Sequence, residues 1–457
     1  MLLRSSTALT TSLAAVFGTC VSVFMAYPAD VKAQEADLVT VRRQIDTLKA
    51  DYETKIRDLE QRLAKTESNT AKIEAKTDDL AKQPAPAAAS GADTKNPNAF
   101  NPQISAVLNG GYTQFSQDPA NARIPGFVSG PETDLGERGF SLGESELQFK
   151  ANVDQAVSGQ LTIALNGEDE VEVEEAFIES LSLPLGFTAR GGRFFSGIGY
   201  LNQKHAHDWE FIDAPLPYVA FLANQYRDDG VQLRWLAPTD MYLEFGSELF
   251  RGDSFPGANS GHGKGAYSAF VHFGDDIGLS NSWQAGLSYL RTKARDRDLG
   301  DSEDDGAEVF SGTSDLGIAS LVYKWAPDGN PTERNLKLSG EYFYQRESGN
   351  FDGTPLKRDN DGWYLQGVYQ FMPQWRAGLR YDRLAADDDL DPALIGTALD
   401  GGSGTPQRGS ALLEYDTSEF GRLRLQYSRD DSMVGEPNNV VRLQYTVILG
   451  PHAAHGF

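Results

Sequence analysis

The side chains with chemistry to offer fall into two groups. One is a set of basic residues standing in strand-like runs: Lys150, Arg190, Arg234, Lys337, Arg376, Arg380, Arg422, Arg424 and Arg442. The other is the stretch from His205 to Asp213, in which His205, His207, Asp208, Glu210 and Asp213 stand among Trp209, Phe211 and Ile212, just before the rigid Pro215-Leu216-Pro217-Tyr218. Residues at alternate positions of an extended strand share one face, and a charge is too costly to turn toward hydrocarbon. The basic residues must therefore face water, and Arg376, Arg380, Arg422, Arg424 and Arg442 predict a basic stripe on one wall, or pairs with acids such as Glu414 and Asp382. Asp208, Glu210 and Asp213 facing that stripe predict a constriction with a transverse field that orients polar solutes. Imidazole and carboxylate also suit Zn²⁺, which makes His205, His207 and the tail residues His452 and His455 candidate ligands. Both histidine patterns are short and common, so the expectation is no bound metal and no cofactor.

Period-2 elements position these residues. In Glu146 through Val153 the odd residues are apolar and the even ones polar, and the same holds for Trp375 to Asp382, Arg422 to Tyr427 and Val441 to Tyr445. Runs of about 10 to 13 residues with aromatic ends match tilted membrane strands better than the shorter strands of a soluble sandwich. About sixteen such runs are expected, including 105–115, 140–153, 282–292, 314–325, 334–346, 361–371 and 438–449. Tight connections at Asp154-Gln155-Ala156, Pro184-Leu185, Ala237-Pro238 and Met372-Pro373 alternate with long ones at 116–139, 196–227, 251–265, 293–313 and 385–407. Short turns at one rim and long loops at the other describe an all-β transmembrane barrel with both ends on the periplasmic side. The loop 196–227 is too apolar for solvent and should fold inward.

The first 33 residues read as a signal peptide, with Arg4, an apolar run from Thr10 to Tyr27, and Val31-Lys32-Ala33 as the cleavage site. Export, and an outer membrane of a Gram-negative bacterium as destination, follow. Cys20 is the only cysteine and leaves with that segment, which excludes disulfides, cysteine metal sites and thiol catalysis in the mature chain. From residue 34 to 83 apolar residues recur at steps of three and four (Leu38, Val41, Ile45, Leu48, Tyr52, then Ile56, Leu59 and Leu63), with a stutter between Tyr52 and Ile56. This predicts a periplasmic coiled-coil helix, followed by a linker over 84–103 and the barrel over 104–457. The net charge of −24 excludes nucleic acid as a partner, and the surplus acid lies beyond residue 100. No catalytic constellation is visible, so an enzyme is not expected.

The run Gly191-Gly192-Arg193-Phe194-Phe195 with Gly197 and Gly199, the segment around Asp213-Ala214-Pro215-Leu216-Pro217, and Arg227-Asp228-Asp229-Gly230-Val231-Gln232-Leu233 resemble the phosphate-selective porin O and P family. The resemblance covers roughly 100–457 and implies a sixteen-stranded, trimeric barrel with Lys and Arg along the pore, for which the coiled coil could serve as trimerising stalk. This chain departs from the family in its acidic barrel and acid-bearing loop, so the expected role is passive diffusion of small hydrophilic solutes or ions. The expected partners are outer-membrane lipid, lipopolysaccharide and two further copies of the chain. Some relatives of this kind are described as zinc-regulated outer-membrane receptors, which makes metal uptake the first alternative. A structural tether between outer membrane and cell wall is the second.

Overall fold

The computed structural model describes residues 102–450 other than 120–123, 128–137, 166–170, 260, 262–264, 299–308, 388, 398, 402–403 and 434. The expected signal peptide, coiled coil, nearly all of the linker, and His452 and His455 lie outside the described residues.

The chain is a closed antiparallel barrel. Its strands are β1 (Gln103–Phe115), β2 (Gly139–Leu142), β3 (Ser145–Asn152), β4 (Val157–Leu165), β5 (Val171–Ser180), β6 (Phe187–Phe195), β7 (Arg227–Leu236), β8 (Tyr242–Phe250), β9 (Ala266–Ile277), β10 (Asn281–Asp298), β11 (Val309–Trp325), β12 (Asn335–Phe351), β13 (Thr354–Met372), β14 (Trp375–Ala385), β15 (Gln407–Ser418), β16 (Gly421–Asp431) and β17 (Asn438–Leu449). From β3 onward each strand pairs with the next, and β17 closes on β1 from Ala106↔Leu449 to Phe115↔Val440. Both β2 and β3 pair with β1, at Gly110↔Leu142 and Ile104↔Phe149. They share one place in the wall, which gives a barrel of sixteen strands. The uninterrupted strand expected over 140–153 is thus broken at Gly143-Glu144. Among the described residues no helix is long and apolar enough to cross a membrane.

Alternation sets the two faces. On β14, Leu379 and Tyr381 are exposed while Arg380, Asp382 and Leu384 are buried; on β16, Leu423, Leu425 and Tyr427 are exposed while Arg424, Gln426 and Ser428 are buried. An apolar outside is stable only against hydrocarbon, so the outer face is the lipid face. Aromatic pairs on that face, Trp375–Tyr415 and Trp363–Tyr381 with centroids 4.8 Å and 5.5 Å apart, lie six residues apart along β14, one at its start and one near its middle.

Strands β10 to β13 are longer than expected, at 17 to 19 residues. The loop expected over 293–313 shortens accordingly, and β12 and β13 meet at Asp352-Gly353. The reason is local chemistry. Asp352 and Gly353 both take positive φ, 47° and 81°, the conformation a two-residue hairpin turn requires and that Asp-Gly favours. In the extensions exposed residues such as Lys293, Arg295 and Lys357 are polar while Ala294, Phe310, Phe351 and Leu356 cluster inside, the reverse of lipid-type alternation, which therefore could not reveal them.

Candidate functional site

The chain between β6 and β7, residues 196–226, lies inside the barrel. Its contacts go to inward side chains on strands right around the wall, from Glu146 on β3 through Glu248 on β8 and Glu341 on β12 to Arg442 on β17. Its neck is tied by Asn202, whose amide donates to the carbonyls of Ser196 and Tyr226 at 2.8 Å and 2.9 Å and whose carbonyl accepts from Tyr226 N at 2.7 Å. Gly197 is required by close approach, since a Cβ there would collide with the ring of Phe270. Further along, a short helix α1 (Leu216–Leu222) opens with Pro217 in its first turn, where no N–H is missed. It closes at Ala223 and Asn224, both left-handed.

One side of the loop is apolar. Ile198, Leu216, Tyr218, Phe221 and Leu222 are fully buried in a single cluster with Phe250, Leu316, Phe343 and Tyr364 of the wall. This explains the composition that made the segment an unusual surface loop. Glu341 fastens it, accepting from Tyr200 N at 2.7 Å, Tyr218 OH at 2.8 Å and Tyr364 OH at 2.6 Å.

The other side is charged and meets the basic wall directly. Glu210 binds Lys337 at 2.7 Å and Arg376 at 2.5 Å, and Asp213 binds Arg380 at 2.6 Å and both Arg408 and Arg442 at 3.2 Å. Burial alone would raise both acids, but Arg376 and Lys337 hold Glu210 well below the usual carboxylate range, and Arg380, Arg408 and Arg442 do the same for Asp213. Arg422 donates to the His207 carbonyl and Arg424 to the Trp209 carbonyl, the latter at 2.8 Å. The expected acids and cations facing each other across open water are therefore contact ion pairs. In a water-poor space a charge-assisted hydrogen bond offsets desolvation far better than separated rows could. Arg376 also binds Glu414 and Arg380 also binds Asp382, at 2.8 Å and 3.2 Å.

Other candidates lie elsewhere. Arg190 and Arg234 share Glu179 at 2.7 Å and 2.9 Å on β5 to β7, apart from the loop's anchors, and Lys150 is exposed near the short-turn end of β3. Asp208 stays partly exposed, 3.6 Å from His207 Nε2. It lines a cavity of about 720 Å³ with Lys204, Glu210, Lys337, Arg376 and Arg422. Residues 331–332 and 418–421 of the short-turn rim also line this cavity, so it opens toward that rim. Arg408 is absent from the expected stripe although its parity on β15 matches that of the other arginines.

His205 and His207 stack at 5.6 Å against the opposite wall. His205 Nδ1 lies 3.0 Å from Glu174 and 3.1 Å from Glu146, its Nε2 lies 3.2 Å from Glu175, and His207 Nδ1 lies 2.5 Å from Glu146. Burial opposes a charged imidazole at His205, but these carboxylates outweigh it and raise its pKa well above the ordinary value. The three glutamates carry no distinguishing signal in the sequence. Glu174 and Glu175 are neighbours and would normally face opposite ways. The pairing Thr162↔Glu175 followed by Ile163↔Val173 leaves Glu174 as the extra residue of a β-bulge, and both carboxylates end up inside.

No protein-family model matches the chain. An uncharacterized protein of Aquifex aeolicus (strain VF5) is 31% identical over 391 residues, spanning 79% of this chain and 80% of that one. Among solved structures, a loop-deletion mutant of the outer membrane protein OmpT of Vibrio cholerae aligns over 76% of this chain and 98% of its own, at 14% identity and a TM-score of 0.50. The outer membrane channel DcaP of Acinetobacter baumannii aligns over 76% and 96%, at 12% identity and a TM-score of 0.49. The closed wall, the lipid-type outer face and the likeness to OmpT agree on the fold of an outer-membrane β-barrel, and by its identity the chain belongs to the family of the Aquifex aeolicus protein.

Proposed function

We propose that the chain is an outer-membrane porin, a channel rather than a catalyst, through which small hydrophilic solutes or ions diffuse passively past the loop 196–226. The observation that supports this best is the two-sided loop. A sixteen-stranded bore is wide enough for an aqueous channel, and this loop packs its apolar side on one part of the wall while turning Asp208 and Glu210 toward a polar cavity. It narrows the bore and leaves a wet, charged passage.

The arginines that the phosphate-selective porin O and P family would offer to an anion are here engaged by Glu210, Asp213 and the loop carbonyls. With the acidic surplus of the chain, the pore favours cations or neutral polar solutes modestly over phosphate. The assembly is a homotrimer in lipopolysaccharide-bearing outer membrane, with residues 34–83 as a periplasmic stalk. Planar-bilayer recording tests the reading. The wild type should give a steady open conductance, and replacing residues 200–222 by a short Gly-Ser linker should raise it several-fold. A wild type without conductance would refute the channel, and a strongly anion-selective one would refute the selectivity.

A further inference from the structure

We propose that His205, Glu146 and Glu174 form a binding site for one divalent transition-metal ion of the Zn²⁺ class, which clamps the inner loop to β3 and β5. One donor atom from each residue lies within 4.8 Å of the others. His205 Nδ1 stands 3.0 Å and 3.1 Å from the two carboxylates, close to the separation of roughly 3.3 Å between donors of a tetrahedral ion with bonds near 2.0 Å. Charge points the same way. Two carboxylates and a neutral imidazole balance a dication, whereas the neighbouring Arg227 is 3.9 Å from Glu174 and is shared with Glu172, which leaves the largely buried glutamates with surplus negative charge.

The groups around these three residues are arranged as those around bound metals are. A ligating histidine usually gives its second ring nitrogen to a carboxylate, and His205 Nε2 has Glu175 at 3.2 Å, itself held by Gln160 Nε2 at 2.9 Å. The Glu146 oxygen not facing His205 is oriented by His207 Nδ1 at 2.5 Å. Independently, Glu144 has a buried Oε1 with no hydrogen-bond partner, and its electrostatic neighbours are Glu174, Glu146, His205 and Arg227. It adds a further buried carboxylate beside the three, outside the group whose donor atoms lie within 4.8 Å of one another. The β-bulge at Glu174 gains a purpose, since in an unbroken strand one of the neighbours Glu174 and Glu175 would turn to lipid.

The test is calorimetric titration of ZnCl₂ into the chelator-treated, detergent-purified full chain. The expected result is one Zn²⁺ per chain. His205→Gln and Glu174→Gln should each weaken binding at least tenfold, Glu175→Gln about tenfold at unchanged stoichiometry, and removal of residues 451–457 should change nothing. Heat-modifiable gel migration confirms that each variant retains the barrel. X-ray absorption on the wild-type complex is the readout that needs no variant, and it should show imidazole in a nitrogen/oxygen shell near roughly 2.0 Å. Absence of stoichiometric binding, binding indifferent to His205→Gln and Glu174→Gln in folded protein, or an all-oxygen shell would each overturn the proposal. None of these outcomes depends on whether the barrel conducts.

Discussion

Replacing Asp213 by Asn should loosen the loop without opening the barrel, and the cost can be worked from the geometry. Three guanidinium groups lie 2.6 Å, 3.2 Å and 3.2 Å from its carboxylate. Coulomb attraction at an effective dielectric constant of about 20 is about 6 kcal/mol for the nearest and about 5 kcal/mol for each of the others. Desolvation of Asp213 and mutual repulsion of the arginines offset much of that. Arg380 and Arg408 keep Asp382 after the change, whereas Arg442 has no other ion pair among the described residues. One uncompensated buried cation remains, which costs about 3–5 kcal/mol. The same substitution leaves the barrel interior one unit more positive, so the reversal potential should move toward anions. The assay is a double-mutant cycle of Asp213→Asn with Arg442→Gln, read by thermal unfolding in detergent and by reversal potential in bilayers. Arg442→Gln should recover most of the lost stability when combined with Asp213→Asn, although alone it destabilises the wild type. A coupling below about 0.5 kcal/mol, typical of screened surface pairs, would refute a docked, water-poor loop.

Acid should act on the same anchors. Glu210, facing Lys337, Arg376 and Lys204, and Asp213, facing Arg380, Arg408 and Arg442, have folded pKa values below their unfolded ones. Their stabilisation is therefore complete above the unfolded values and is lost as pH falls below about 4 toward the folded ones; current noise recorded between pH 7 and pH 3 should rise only at the acid end. Gly192→Ala should impair barrel assembly, because φ is +134° and the added Cβ would overlap the Ala176 carbonyl. A strain of about 1–3 kcal/mol should appear as a lower unfolding temperature, and an unchanged one would mean that β5 and β6 do not approach as described. Deleting residues 38–80 should convert the proposed trimer to smaller species in mild detergent by light scattering while strand content stays constant, since each barrel closes on itself.

Strand periodicity, the alternation of short and long connections and the inward turn of 196–227 were legible in the chain because each follows from a local rule. Period 2 assigns faces, hydrocarbon excludes Arg380 and Arg442 from one of them, and an apolar loop must find cover. The sixteen-strand count came from the same rules, apart from the break at Gly143-Glu144. The extensions of β10 to β13 escaped because their outer face is polar and Phe310, Phe351 and Leu356 pack inside, which reverses the lipid-type alternation, although Asp352-Gly353 carried the hairpin in plain view. Arg408 escaped only by omission.

What no local rule could supply is which charges touch. Ion pairs such as Asp213 with Arg442, 229 residues apart, depend on how the loop crosses the lumen and on strand register accumulated around the closed barrel. The cluster of His205 with Glu146 and Glu174 depends further on a one-residue bulge that reverses a side chain against its own parity. The sequence determined which residues face water because burial is decided residue by residue. The tertiary structure decided which of them meet, because contact between distant strands is a property of closure.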